Sequence, residues 1–385
     1  MAFLSKGRAV GVIEEASYGA GGVFTNSDYL DYTACDISPD IAVIERNVIR
    51  QSMIALESLQ GQETSSGTIS IEISGDDDTY GLNGDLLYKN AFGYRVARTT
   101  ATTVASASSS SSLTLTSASG LEIAQALKVT LGTGDEFVTI TSISGNDIEI
   151  DPALSSVPTG TEPVVGLLTY LVNKPSDNVA SLAIRENLSD STGGDTVDYT
   201  YKGSVITDAT LNFPVADVAT ADFSVGGAGF VSDNPGTTVT VPCDLVTPVV
   251  GKNAELTVLG VDYEAQDVSL NLTSEVTDIQ SLTSDGIANK LAVTRAVSMN
   301  FRTEYVGDSN VNTLKAGTKG SMHLQLRDGG STSPVIVGVY APSVKFRTVT
   351  RSEDGNILYD NIVADLISNG CADNENAVTL YFDQA

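Results

Sequence analysis

The sequence predicts an all-β protein with a small helix: two tandem β units, the first interrupted by a small inserted β-domain. Three observations carry that expectation. Thr and Val recur in short alternating runs punctuated by Gly, Asn and Asp, the pattern of half-buried strands and their turns, and Trp is absent. Two stretches read as copies. Residues 199–225 and 338–368 both run strand, turn, strand, with Val363-Ala364-Asp365-Leu366-Ile367-Ser368 set against Thr220-Ala221-Asp222-Phe223-Ser224-Val225. Earlier in each half, Gly67–Ile73 answers Ala296–Arg302. Lastly, Thr99–Ser112 is nearly all Thr, Ala and Ser, a break in composition followed by evenly spaced short strands. A duplicated β unit implies a chain built for symmetry, each half playing the same part in a larger assembly.

The elements follow in order. Residues 1–30, rich in Gly and small side chains, read as an arm or long loop. Strands are expected near Tyr32–Asp36, Ile41–Arg46 and Ile49–Leu56, then a flexible turn over Gln60–Ser66 and a clear strand at Thr68–Ser74. Asn83–Phe92 is the helix: Asn83 can cap it, Leu86, Leu87, Tyr88 and Phe92 supply an apolar side, and Gly93 can end it. After the Thr/Ser stretch come Leu113–Thr116, Ala126–Leu131, Glu136–Ser142 and Asp147–Asp151, separated by turns such as Gly132-Thr133-Gly134 and Gly145-Asn146. That spacing suits a small independent barrel or sandwich.

The parent unit resumes near Leu168 with Ser181–Glu186, Asp198–Lys202, Val205–Phe213 and Val218–Val225. A Gly-rich turn, Gly226-Gly227-Ala228-Gly229, and the stretch Asn234–Pro242 link the halves. In the second half Leu291, Val293, Arg295, Val297, Met299, Phe301, Thr303 and Tyr305 fall on one face of a long strand. Lys290, Thr294, Ser298, Asn300, Arg302 and Glu304 fall on the other. Such a strand belongs to a sheet with one wet side. The expected division is 1–98 and 166–235 for the first unit, 99–165 for the inserted domain, and 236–385 for the second unit.

Composition excludes several classes of function. The 385 residues carry 21 basic against 48 acidic side chains, a net charge of −27, which repels nucleic acid. Cys35, Cys243 and Cys371 are scattered, with neither a disulfide framework nor a zinc spacing, so free thiols in a cytosolically assembled protein are expected. The opening Met-Ala-Phe-Leu-Ser-Lys-Gly-Arg has no long apolar core before its charges, so no signal peptide is expected. No apolar run approaches membrane-spanning length.

Catalytic and metal-binding patterns are missing. The one histidine, His323, lies in the alternating run Ser321–Leu326 and reads as structural; a triad would have this single possible base, and a multi-His metal site cannot form within one chain. Asp76-Asp77-Asp78 resembles the start of a calcium loop, but Tyr80 and Leu87 stand where ligands are needed. Gly226–Gly229 lacks the Lys-Ser/Thr of a phosphate loop. In so acidic a chain, neighbouring carboxylates nominate no glycosidase pair. No catalytic, cofactor or metal site is expected.

The order of strands and turns resembles the tail tube (major tail) proteins of long-tailed bacteriophages. The resemblance rests on Ser65–Ile73 followed by the helix Leu86–Phe92. It also rests on Leu182–Glu186 leading through Tyr199–Gly203 to Thr210–Pro214, and on Val268–Thr273 opening a similar second half. It covers most of the chain outside 99–165. It implies β-sandwich units with a flanking helix, whose sheets join around a ring into a closed barrel, with rings stacked into a tube that carries DNA. The chain is far longer than a single-unit tube protein, which suits two units per chain and trimeric, pseudo-hexameric rings. Implied partners are further copies of the chain, a tape-measure protein and tail-end proteins, in the tail of a virion assembled in the host cytoplasm. DNA would pass without specific binding, past an acidic wall.

The matching strands Thr68–Ser74 and Lys290–Tyr305 supply the candidate lumen residues: Ser70, Glu72, Ser298, Asn300 and Glu304. Two other classes compete. A secreted or surface β-repeat protein, an adhesin or surface-layer component, fits the composition but not the missing signal sequence or the helix. An acidic β-sandwich hydrolase is disfavoured by the absent Trp and of any acid/base constellation.

Overall fold

The computed structural model describes residues 3–46, 57–76, 81–172, 179–190, 196–233, 239, 248–252, 254–282, 286–327, 335–368 and 376–383. The described residues are nearly all β, with two short α-helices and one 3-10 turn at Asn26–Asp28. The first half opens with β1 (Phe3–Glu14), β2 (Tyr29–Leu30), β3 (Ala34–Cys35), β4 (Ser38–Ile44), β5 (Leu59–Glu72) and helix α1 (Asp85–Phe92). There follow β6 (Gly93–Val96), β7 (Thr102–Ala107), β8 (Ser112–Leu115), β9 (Ala126–Leu131), β10 (Gly134–Ser144), β11 (Asp147–Asp151), β12 (Pro163–Gly166) and β13 (Leu168–Val172). The half closes with β14 (Leu182–Asp190), β15 (Thr196–Pro214), β16 (Thr220–Gly227) and β17 (Gly229–Asp233). The second half has β18 (Glu255–Val258), β19 (Val261–Tyr263), β20 (Ala265–Ser281), β21 (Gly286–Glu304) and helix α2 (Ser309–Ala316). It ends with β22 (Lys319–Arg327), β23 (Val335–Asp354), β24 (Ile357–Leu366) and β25 (Thr379–Phe382).

The central feature is an antiparallel sheet in the order β4-β5-β16-β15-β20-β21-β24-β23. Its strands alternate with period two, so one face is apolar. Ile69, Ile71, Leu211, Phe223, Leu270, Met299, Phe301 and Ile362 are buried on that face. Two long strands turn away from this sheet. β15 pairs β14 and β17 through its first part and β16 and β20 through its second. β23 likewise pairs β22 and β25 first and β24 later. The two smaller sheets so formed, β2-β1-β14-β15-β17 and β6-β13-β25-β23-β22-β18-β19, complete the sandwich.

The pairing pattern repeats between the halves. Hairpin β4–β5 corresponds to β20–β21, α1 to α2, β14–β15 to β22–β23, and β16 to β24. Bulges fix the register. β15 carries one between Ile206 and Asp208, β23 one between Phe346 and Thr348, each opposite an unbroken partner strand. These place Val225 against Ala364 as equivalents, and Ile69 against Phe301. Composition alone sets Ala221 against Ala364 and Ile69 against Ser298. Both pairings are misaligned, because short alternating strands look alike in composition at several registers.

Between α1 and β14 the first half carries an extra segment, while α2 runs into β22 almost directly. Within it β10-β11-β8-β7-β12-β9 close a six-stranded barrel with its own core, including Val104, Leu113, Leu127, Ile140 and Val164. Its entry and exit lie side by side: Thr99 N donates to Gly166 O at 3.0 Å. The barrel is docked on the body. Lys128 Nζ lies 2.7 Å from the fully buried carboxylate of Asp383, Phe137 stacks on Tyr381 at 6.0 Å between centroids, and the Tyr340 hydroxyl donates to Asp151.

Several sequence expectations are corrected. Phe3–Glu14 is a strand rather than part of an arm or long loop, while 15–25 has no helix or strand: β1 pairs β14 from Arg8 to Glu14, and Val10 and Val12 are buried. Gly11 between them permits the close approach of Phe24 and Tyr29, whose rings would stand 3.0–3.1 Å from a Cβ there. Gln60–Ser66 is no turn. It is the first part of β5, paired with β4 as an exposed ribbon, since a backbone ladder forms without apolar side chains. Asn83 does not cap α1. Gly84 occupies that place with φ of +77°, and Asn83 Nδ2 instead donates to Asp31 O at 2.8 Å. Gly226–Gly229 is the crossing from β16 into β17. Leu291 and Val293 are 37% and 58% exposed, because β21 before Val297 pairs β20 alone as a second ribbon. Ile49–Leu56, Cys243, Cys371 and most of Asp76–Asp78 lie outside the described residues.

Candidate functional site: the polar face of the central sheet

The residues alternating with the apolar face point the other way, and nearly all are polar. β5 presents Thr68, Ser70 and Glu72; β16 presents Thr220, Asp222 and Ser224; β15 presents Asp208, Thr210 and Asn212. β20 adds Ser269 and Asn271, and β21 adds Ser298, Asn300, Arg302 and Glu304. Cross-strand hydrogen bonds knit this face. Ser70 Oγ donates to Asp222 Oδ1 at 2.6 Å, and Asn212 Nδ2 to Asp222 Oδ2 at 3.1 Å. Thr210 Oγ1 donates to Asn271 Oδ1 at 3.2 Å, and Asn300 Nδ2 to Ser269 Oγ at 3.4 Å. Such pairs are the unit of stabilisation on a wet sheet face.

Two arginines here are already engaged. Arg302 lies over the Tyr359 ring at 4.0 Å and reaches Asp354 at 3.1 Å, while Arg347 meets Asp365 at 3.1 Å. Glu72 and Glu304 remain exposed. A face of carboxylates, amides and hydroxyls with paired arginines gives phosphate little to bind.

All five sequence candidates, Ser70, Glu72, Ser298, Asn300 and Glu304, sit on this one face. Glu72 pairs Thr220 and Glu304 pairs Tyr359, so the bulge-anchored register makes the two carboxylates equivalent positions of the two halves. Asp208, Asp222, Asn212 and Asn271 share the face without being among the candidates expected from sequence. The signal was present: each alternates with a buried partner such as Ala209, Leu211, Phe223 or Leu270.

His323 lies apart from this face. It is half-buried on β22, with Nε2 2.8 Å from the Tyr381 hydroxyl, and desolvation lowers its pKa from 6.5 to about 4. The unfolded chain therefore takes a proton near pH 6.5 that the folded chain refuses until about 4. Stability should fall as pH drops through that window by up to about 3 kcal/mol, with no His323 contribution above it. Urea midpoints at pH 7 and 4.5 check this: His323→Gln should narrow the difference between them, and an unchanged difference would refute it. Burial also pushes up the pKa of Cys35, leaving a poor nucleophile. Among the described residues no group of three or more His, Cys, Asp or Glu is arranged to hold a metal ion.

The chain is a two-unit β-sandwich that presents one continuous polar sheet face. The family model of the phage tail tube protein matches residues 5–361, and the chain belongs to that family. A search of the curated proteins gave no match. The protein is thus a component of a virion tail. No described helix is long and apolar enough to cross a membrane.

Proposed function

We propose that three copies close into a ring of six equivalent units, that rings stack into a tube, and that the polar face lines a lumen through which DNA is delivered. One observation carries this reading. The central sheet consists of two four-stranded repeats, β4-β5-β16-β15 and β20-β21-β24-β23, joined where β15 pairs β20. The outer strands, β4 and the end of β23, pair on one side only among the described residues. Exposed edges are templates for further pairing, and closure into a ring removes them. The β15–β20 joint is the model for the joint between chains: β23 of one copy meets β3 and β4 of the next.

In this reading Ser70, Glu72, Ser298, Asn300 and Glu304 face the DNA path, and the wall repels phosphate. A tape-measure protein fills the lumen during assembly and tail-end proteins cap the tube. The tail is non-contractile, by family analogy alone. Helical cryo-EM of assembled tubes tests the reading. Rings of three chains with six similar positions are expected; six chains with one half lining the lumen would overturn it.

The same reading makes 99–165 an outer domain, set between units 1–98 with 166–235 and 236–385. Because Thr99 and Gly166 are adjacent, a short Gly/Ser joint can replace the barrel. Tubes should still form by negative-stain microscopy, with some loss of subunit stability because Tyr381 and Asp383 lose Phe137 and Lys128. Soluble chains that no longer polymerise would show that the barrel holds rings together.

A further inference from the structure

The two helices are equally long and unequally covered. α1 buries Leu87, Tyr88, Asn90, Ala91 and Phe92, while α2 buries Asn310 alone. Part of the cover of α1 comes from the other half of the chain. Arg295 stands on β21 two residues beyond the last β21–β24 pair, Val297 with Leu366. Its Nε donates to Ala91 O at 3.0 Å and its Nη2 to Asn90 O at 3.4 Å, in the last turn of α1. A cation there meets the negative end of the helix.

The matching position in the first half is Glu63, two residues beyond the last β5–β16 pair, Ser65 with Gly227. Glu63 is exposed on the β4–β5 ribbon, whose Val43, Ile44 and Leu59 are 65%, 53% and 51% exposed. Three large apolar side chains on one free ribbon mark a contact surface. The last turn of α2 answers Glu63 in charge. Lys315 is exposed there, and the Lys345 side chain runs beside the C-cap Gly317.

We propose that the β4–β5 ribbon of one copy seats on α2 of a neighbouring copy, with Glu63 against Lys315 and Lys345. The seat copies the one that β21 makes on α1 inside each chain, and it rests on the ring reading above. The chemistry is exchanged between the two. Inside the chain the ribbon brings the cation and the helix end supplies carbonyls. Between chains the helix end supplies the cations and the ribbon brings the carboxylate. Joints between chains therefore include an ion pair and weaken with salt more than the internal joint, where Arg295 meets carbonyls.

Zero-length carbodiimide coupling on tubes assembled from equal parts of ordinary and nitrogen-15-labelled chain tests the seat. The expected product is a peptide pair joining Glu63 to Lys315 or Lys345, with one light and one heavy member. Three-chain rings in which Glu63 couples elsewhere, or only within one chain, would overturn the seat and leave the ring reading standing. Failure to form rings at all would overturn both. Charge reversal gives a second readout. Glu63→Lys alone should raise the concentration for half-assembly about five-fold in low salt, and adding Lys315→Glu should restore it. A double variant no better than the single would overturn the pairing.

Discussion

Tubes that carry Glu72→Lys and Glu304→Lys are expected to assemble and then to deliver DNA slowly. Both side chains are exposed on the wet face and lie at equivalent positions, so each ring of the proposed assembly would gain lysines at six evenly placed sites. Wet side chains away from packed contacts contribute little to stability, which is why assembly should survive. DNA is the sensitive partner. Each lysine that neutralises a phosphate releases a counterion, so binding steepens as salt falls, and the screening length grows from about 10 Å at 0.1 M to about 30 Å at 0.01 M. Ejection should slow by about ten-fold or more in low salt and recover toward the parent rate in high salt. Parent kinetics at low ionic strength would place these residues away from the DNA path.

The largest effect on the free subunit is expected from Phe223→Ala. Phe223 is fully buried on β16, directly behind the wet residue Asp222, and meets the Tyr88 ring edge-on at 5.2 Å. Tyr88 in turn contacts Tyr170 and Phe382, so one ring links the central sheet, α1 and the sheet behind it. Removing it leaves a cavity among rigid aromatic neighbours, at a cost of about 3–5 kcal/mol. Urea unfolding of the unassembled chain measures this. A loss below about 1 kcal/mol would mean that the neighbours close the gap and that this cluster does not fasten α1 to the sheet.

Much of the wet face could be read from local pattern. Ile69, Ile71, Met299 and Phe301 alternate with Ser70, Glu72, Ser298 and Asn300, and a period of two assigns faces without knowledge of any partner strand. The helix α1 was legible because its apolar residues cluster and Gly93 follows. α2 was missed because Ser-Asn-Val-Asn-Thr-Leu-Lys-Ala buries one residue and so shows no apolar stripe. The strand β1 was missed for another reason: Gly11 interrupts its apolar run, and its partner β14 lies across the intervening barrel in sequence.

The sequence by itself determined that the protein is all β, that each half repeats one unit, and which side of β5 and β21 is polar. Those properties follow from alternation and turn chemistry, which are local. Tertiary structure alone decided the register between the halves, the joining of β15 to β20, the ribbon formed by β4 and β5, and the contact of Arg295 with α1. Each depends on bulges and on partners distant along the chain. A ladder gains its hydrogen bonds only after distant segments meet, and no short window of residues records which segment that will be.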